Sequence, residues 1–285
     1  MIKIIKYFFE SLVIYTFFFV IKLLGLSISR DLFSFIFKKI GPLIRSRKIL
    51  KKNLSIFSNN ISEQKKDEIE LNVWSNYGKT FAEYMFLKKF RKENLHIKIE
   101  GKKILDEIYQ NNKPVIFVSG HFANFELMSM EITKNKINLA TIYRPLNNFF
   151  LNPLMEYLRK KYVCNKQIKK GRSGIKECIE YIEKGYSVAL MIDQRLGEGD
   201  RVKFFNKTAH TTSLPAQLSL KYNLNVVPIF IEREHENYFK MKIYEPINTS
   251  NFKNKSEITL KLNQILENMI LNNPNQWIWT HDRWK

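Results

Sequence analysis

The chain has 285 residues, 45% of them hydrophobic and 14% aromatic, which supports a sizeable core and excludes a disordered chain. Lysine and arginine outnumber aspartate and glutamate 47 to 27, a formal charge of +20, so the partners it suits are polyanions: anionic lipid headgroups, nucleic acid or acidic proteins. Two cysteines, Cys164 and Cys178, exclude a disulfide framework; neither sits in a C-x-x-C pattern, and both read as buried thiols.

The N-terminus, "MIKIIKYFFESLVIYTFFFVIKLLGLSIS", is apolar and aromatic, broken by Lys3, Lys6, Glu10 and Lys22. Its clean run, residues 11–21, rises about 16 Å as a helix, about half a bilayer core. Snorkelling lysines extend it, so a tilted span and a helix lying in the interface both fit. No small-residue cleavage site follows, which argues against a secretory signal. Membrane attachment is expected over a buried core helix, because the segment is terminal and aromatic-rich. Residues 1–29 are read as a membrane anchor helix. Residues 30–285 follow as one domain, a helical portion (30–95) and an α/β core (96–285).

Helical patterns cover residues 31–57 and 62–89; in the second, Ile69, Val73, Tyr77, Thr80 and Phe81 recur on one face. Then the period changes. "KPVIFVSG", "INLATIY", "YSVALMID" and "NVVPIFIE" are short, β-branched runs bounded by Gly, Pro or Asn, the mark of buried strands. Helical patterns at about 125–133, 153–162 and 174–184 alternate with them. The expected fold is therefore α/β, with a mixed, mainly parallel central sheet flanked by helices. "YFKMKIYEPI" pairs as a hairpin with the last of those strands, residues 256–271 form a closing helix, and the tail holds three of the four tryptophans.

The stretch "VIFVSGHFANFELM" carries the chemistry. His121 precedes Glu126 by five positions, which on one helix would point them about 140° apart. They cooperate only if His121 sits in the turn after the strand and the helix begins near Ala123 or Asn124, with Asn124 as N-cap. Such a turn lies beyond the carboxyl end of a strand, where open α/β sheets bind ligands. A carboxylate on one imidazole nitrogen makes the other a better base. That base can take the proton of a hydroxyl attacking a thioester and return it to the leaving thiolate. No G-x-S-x-G elbow is present for an acyl-enzyme route. On these residues alone, a turn-capping histidine beside a solvated first-turn acid explains the pattern equally well.

Later blocks break the tie. The chain resembles the late acyltransferases of lipid A biosynthesis (lauroyl and myristoyl transferases), within the wider glycerolipid acyltransferase group. Their H-x-x-x-x-E/D signature is matched by His121 and Glu126, and "YRPLNN" looks like their Y-R-P-x-N-N segment. "LRKKY" puts Arg159 where the family has a functional arginine, and "GRSG" supplies Arg172. "MIDQRLGEGDRVKFFNKTAHTT", with Asp193 and Gln194, looks like the D-Q…V-x-F-F-G…A-x-T-T block, and "PNQWIWTHDRWK" resembles the family's closing motif. Asn206 stands in place of a glycine, Asp282 in place of an arginine, and "NFFL" is an insertion.

The resemblance implies a membrane-bound acyltransferase moving a fatty acyl chain from acyl carrier protein thioester to a hydroxyl of an anionic lipid A precursor. It further implies the bacterial inner membrane, with the catalytic domain facing the cytoplasm. His121 would be the general base and Glu126 its orienting partner. Arg144, Arg159 and Arg172 would bind the phosphorylated acceptor or shape the site, since arginine forks match phosphate. Asp193 ends a buried strand, where an acid needs a partner; an arginine is expected, giving a supporting role. His210 and His281 read as structural or surface histidines, and the tail tryptophans as core or interface anchors, with a headgroup position open to them beside Arg283 and Lys285. No cofactor is expected beyond the thioester co-substrate, because H-E-x-x-H, G-x-G-x-x-G and P-loop patterns are missing. Two rivals stand: an acyltransferase for another glycolipid or a lysophospholipid, and a non-catalytic basic membrane-binding protein. A nucleic-acid partner is not expected, because the aromatics sit in apolar runs.

Overall fold

A computed structural model describes residues 2–44, 47–58, 60–235 and 238–285. Helix α1 (Ile2–Leu24) turns at Gly25 into α2 (Leu26–Ile44), so residue 29 lies inside the second helix. After α3 (Arg47–Phe57) comes α4 (Glu63–Glu83), capped by Ser62, whose hydroxyl accepts from the Lys65 amide. Helices α2 and α4 pack closely: a Cβ on Gly78 would lie 2.1 Å from the Phe33 carbonyl oxygen. The 62–89 pattern therefore becomes α4, a 3₁₀ turn at Tyr84–Phe86 and α5 (Leu87–Lys92).

The α/β portion then runs β1 (Ile97–Glu100), α6 (Lys102–Asn111), β2 (Ile116–Ser119), α7 (Glu126–Lys134), β3 (Leu139–Tyr143) and α8 (Asn152–Leu158). It continues through a π-helical turn (Arg159–Val163), β4 (Lys166–Lys169), α9 (Arg172–Glu183) and β5 (Ser187–Met191). A hairpin of β6 (Asp200–Phe204) and β7 (Lys207–Thr211) precedes α10 (Leu214–Tyr222), β8 (Val226–Arg233), β9 (Phe239–Ile243) and α11 (Lys255–Asn272).

Seven strands form one sheet in the order β1-β9-β8-β2-β5-β3-β4. All neighbours run parallel except β8 and β9, the expected hairpin, which pairs Ile231 with Met241. The sheet is mixed and mainly parallel, and β2 and β5 lie side by side near its centre, Ile116 opposite Val188. Every residue of β2 is buried, as a strand covered on both faces requires.

The edge strands β1 and β4 have no apolar run behind them. "IKIE" and "KQIK" alternate with charge, as edges exposed to solvent do. The β6–β7 hairpin turns on Phe205 and Asn206, with φ of 48° and 58°. Asparagine here takes the left-handed backbone that the family's glycine would. Both cysteines are buried, Cys164 at 3% and Cys178 at 0% exposure.

The tail does not sit at a headgroup level. Trp277, Trp279 and Trp284 are all buried, and so is Arg283. Trp284 stacks on Phe204, 5.4 Å between ring centres, and its indole N–H donates to the Phe204 carbonyl. Arg283 donates to the His210 carbonyl and the Thr211 hydroxyl. The closing motif and the F-F…T-T block are thus two halves of one packed unit. Asp282, at the departure from the family motif, pairs with Lys52 at the surface, 3.1 Å away.

Candidate active site

Strand β2 ends at Ser119, and Gly120 and His121 follow directly beyond its carboxyl end. A Cβ on Gly120 would come within 2.8 Å of Phe122, 2.9 Å of Leu266 and 3.2 Å of Asp193, so only glycine lets the turn close here. Ala123 adopts φ 42°, a costly conformation without glycine. It is pinned on both sides. Its N–H donates to the Gln276 carbonyl, and its own carbonyl accepts from Thr80 at 3.2 Å and Asn76 at 3.5 Å.

His121 is therefore in a turn, as the spacing demands, but the helix starts later than expected. Helix α7 begins at Glu126 with Phe125 at the cap, and Asn124 is not the capping side chain. Its amide instead donates to Glu83, 2.9 Å away. Glu83 is fully buried and pairs with Arg30 of α2 and Arg233 of β8. Burial alone would raise its carboxyl; the two guanidinium groups outweigh that and hold it below its ordinary value.

The larger correction concerns the partner of His121. The imidazole Nδ1 lies 2.8 Å from Oδ1 of Asp193, and the His121 backbone N–H donates to Oδ2 at 2.7 Å. The Trp277 indole N–H also donates to Oδ2, at 2.9 Å. Asp193 is thus partnered by a histidine and a tryptophan rather than the expected arginine. It stands just beyond β5, the strand next to β2, so sheet topology delivers the pair. Burial would raise its carboxyl, but the His121 charge and these hydrogen bonds bring it below the usual carboxylate value. An ionised acceptor on Nδ1 puts the ring proton there and leaves the Nε2 lone pair free.

Glu126, expected as the orienting partner, forms no hydrogen bond to His121 among the described residues, and one of its carboxylate oxygens is engaged elsewhere. Its Oε1 accepts from the Tyr84 hydroxyl at 2.6 Å and from Arg159 Nε at 2.7 Å. Arg159 is not on a solvated helix face: its side chain is 13% exposed and it opens the π-helical turn after α8. Burial would lower its pKa, but Glu126 and Tyr84 raise it above the ordinary arginine value. Glu126 and His121 nevertheless line the same space.

That space is a cavity of about 840 Å³. Phe117, Met128, Ile132, Ile142 and Ile175 give it apolar walls, while Arg144, Arg159, Lys170 and Arg172 add positive charge. Arg144 and Arg172 are exposed, and neither forms an ion pair among the described residues. Arg172 is the first residue of α9. His210 stays structural, its Nδ1 3.2 Å from the Gly199 carbonyl.

His281 does not read as expected. It lines the cavity, and its Nε2 accepts the Arg195 backbone N–H at 2.9 Å. Accepting there leaves the proton on Nδ1, and burial lowers its pKa, keeping the ring neutral. Tyr84, Gln276 and His281 are the site-building residues the motif reading missed. The tail tryptophans were the available signal, since Trp277 brings this segment onto Asp193.

The family model described as bacterial lipid A biosynthesis acyltransferase matches residues 1–285. A curated relative, lipid A biosynthesis acyltransferase 2 of Shigella flexneri, is 23% identical over 185 residues. That match takes in 63% of this chain and 58% of the relative, so the chain spans less than two thirds of that protein's length. Among solved structures, the 1-acyl-sn-glycerophosphate acyltransferase PlsC of Thermotoga maritima aligns over 95% of this chain and 99% of its own, at 13% identity and a TM-score of 0.44. With the family model matched from the first residue to the last, this chain belongs to the bacterial lipid A biosynthesis acyltransferase family.

Proposed function

We propose that the protein transfers a fatty acyl chain from an acyl carrier protein thioester to a hydroxyl of a lipid A precursor. One observation carries the reading: His121, backed by a buried carboxylate, presents a free Nε2 in a large, apolar, basic-rimmed cavity at the carboxyl edge of the sheet. His121 takes the proton of the acceptor hydroxyl as its oxygen attacks the thioester carbonyl carbon. The carbon–sulfur bond then breaks, and the thiolate leaves with the proton from the imidazolium. Asp193 fixes the ring tautomer and stabilises the imidazolium between the two transfers.

Glu126, Tyr84 and Arg159 act as a rigid unit beside that reaction, setting the cavity wall and placing positive charge near the developing oxyanion. The neutral Nδ1–H of His281 is the uncharged donor we assign to the same oxyanion. Arg144 and Arg172, exposed and without ion-pair partners among the described residues, take the acceptor phosphates. The apolar walls hold the acyl chain. An acidic carrier protein and an anionic acceptor both complement a chain of net charge +20. With a lipid A precursor as acceptor and a carrier-protein thioester as donor, the enzyme works at the bacterial inner membrane, its catalytic domain on the cytoplasmic side.

The test offers acyl carrier protein thioesters of several chain lengths to a tetra-acylated lipid A precursor in detergent micelles, with a lysophospholipid as competing acceptor. Transfer to the lipid A precursor, lost about 10²- to 10⁴-fold in His121→Ala, supports the reading. Transfer to the lysophospholipid alone removes the substrate claim and leaves the catalytic one.

A further inference from the structure

Helix α1 is apolar and long enough, at 23 residues, to cross a bilayer. Its contacts say how it sits. Tyr7, Ser11, Ile14, Phe18 and Ile21 recur at alternating steps of four and three, the spacing of a single helix stripe. All five are half-buried or buried, as are Phe17, Val20 and Leu24 of the same helix. They touch the rest of the molecule along the helix length. Near the N-terminal end, the Tyr7 carbonyl accepts from Asn148, 2.9 Å away, and Tyr15 donates to the Phe150 carbonyl, 2.8 Å away. Tyr7 also meets Phe149 edge-on at 6.0 Å, and Phe8 meets Phe150 at 5.8 Å. In the middle and at the far end, Ile14, Phe18 and Ile21 share an apolar cluster with Leu154 of α8, Phe33 of α2 and Phe86. Phe18 stacks on Phe81 of α4 at 5.0 Å.

The clamp thus covers residues 7 to 21, about 21 Å of helix axis. If α1 crossed the hydrocarbon, about 30 Å thick, the loop 144–151 would have to enter it too. That loop is irregular backbone with exposed Arg144 and Asn147, and lipid-facing irregular backbone is not tolerated there. The opposite stripe points away from the protein and is apolar: Ile2 is 86% exposed, Phe9 59%, Phe19 65% and Leu23 70%. Lys3, Lys6 and Lys22 lie near its two ends, suited to anionic headgroups.

We infer that α1 lies in the plane of the membrane, with its outer stripe in one leaflet of an anionic bilayer and both ends on the side of the catalytic domain. The loop it holds also forms the cavity wall at Arg144, Leu146 and Asn147, and Leu146 and Phe149 are exposed on it. The cavity rim therefore rests at the headgroup layer, so a lipid acceptor reaches the site without leaving its leaflet. The seating rests on the helix contacts alone and stands whichever lipid is acylated.

The experiment uses full-length protein in membrane vesicles of defined sidedness from expressing cells, with a membrane-impermeant thiol reagent. Lys3→Cys reports the start of α1, and Leu95→Cys, 87% exposed, reports the catalytic domain; the parent protein is the blank for the native thiols. The in-plane helix predicts that both sites react in the same vesicles and both stay silent in the opposite ones. Reaction in opposite vesicles means a span and overturns the inference. Nitroxide labels at Phe9, Leu12 and Phe19 in phosphatidylglycerol-containing liposomes then give depth. Equal shallow depths support the helix in the plane. A maximum at Leu12 falling towards either end, or labels that meet no lipid because protein covers the stripe, contradict it.

Discussion

At Asp193, a buried carboxylate receives two hydrogen bonds from His121 and one from Trp277, and every one of them positions the imidazole or the acid that holds it. Glu126, the acid of the H-x-x-x-x-E signature, holds Arg159 and Tyr84 instead. The signature thus encodes two adjacent units rather than one dyad. Gly120 ties them to the strand end, and Gly120→Ala should cost about 1–3 kcal/mol through overpacking against Phe122, Leu266 and Asp193. Urea denaturation measures this, and a wild-type midpoint would show that the turn relaxes. His281→Ala should lower kcat by about 10²-fold if its Nδ1–H meets the oxyanion. A change confined to KM would place it in binding instead. Arg144→Gln and Arg172→Gln should raise the acceptor KM and leave kcat near wild type, an effect that weakens as salt is added. Loss of kcat alone would speak against phosphate binding.

Among elements, what was legible followed from local pattern. The four buried strands announce themselves as β-branched runs, because a strand covered on both faces has no polar side to alternate with. The edge strands β1 and β4 alternate with lysine and glutamate, and on the sequence alone they look like loop. The position of His121 was readable from a five-residue spacing that a helix cannot satisfy. Its partner was not, because neighbouring β2 and β5 are joined only by the sheet order, and residues 121 and 193 are separated by three α-helices and two other strands. Asp193 is visible as a strand-end acid needing a partner, but its local sequence does not tell an arginine from the histidine and tryptophan that hold it. The Arg30–Glu83–Arg233 cluster, which fastens α2, α4, β8 and the Asn124 turn together, left no local signal at all. Arg233→Leu leaves part of a buried charge uncompensated, and should destabilise by about 3–5 kcal/mol. A loss below about 1 kcal/mol would show that Arg30 alone suffices.

At the scale of the whole molecule, much of the excess charge is on the outside, while two of the depressed carboxylates are fully buried. Asp193 and Glu83 both sit below ordinary values in the folded protein. Their stabilisation is therefore complete above the usual carboxylate range and is lost as pH falls through their folded values. His281 adds to the same trend, since an unfolded chain takes up its proton near 6.5 while the buried ring resists. Tm should fall modestly as pH drops below about 6.5, through His281, and further below about 4, through the two carboxylates, read by calorimetry at constant ionic strength. A flat or rising Tm over that window would contradict the linkage. On the proposed function, the apolar outer stripe of α1 and the basic rim of the cavity share one task, presenting an anionic lipid to His121.

The most direct measurement of the central claim compares Asp193→Asn with Glu126→Gln in the micelle transfer assay, as kcat against pH, with folding confirmed by circular dichroism. With Asp193 as the partner of His121, Asp193→Asn loses about 10²- to 10⁴-fold in kcat at every pH and keeps its KM. Glu126→Gln then loses activity through KM and stability, leaving the pH profile of the base in place. If Asp193→Asn runs at the wild-type rate while Glu126→Gln alone abolishes kcat and shifts the profile, the carboxylate that serves His121 is Glu126, and the assignment made from the geometry fails.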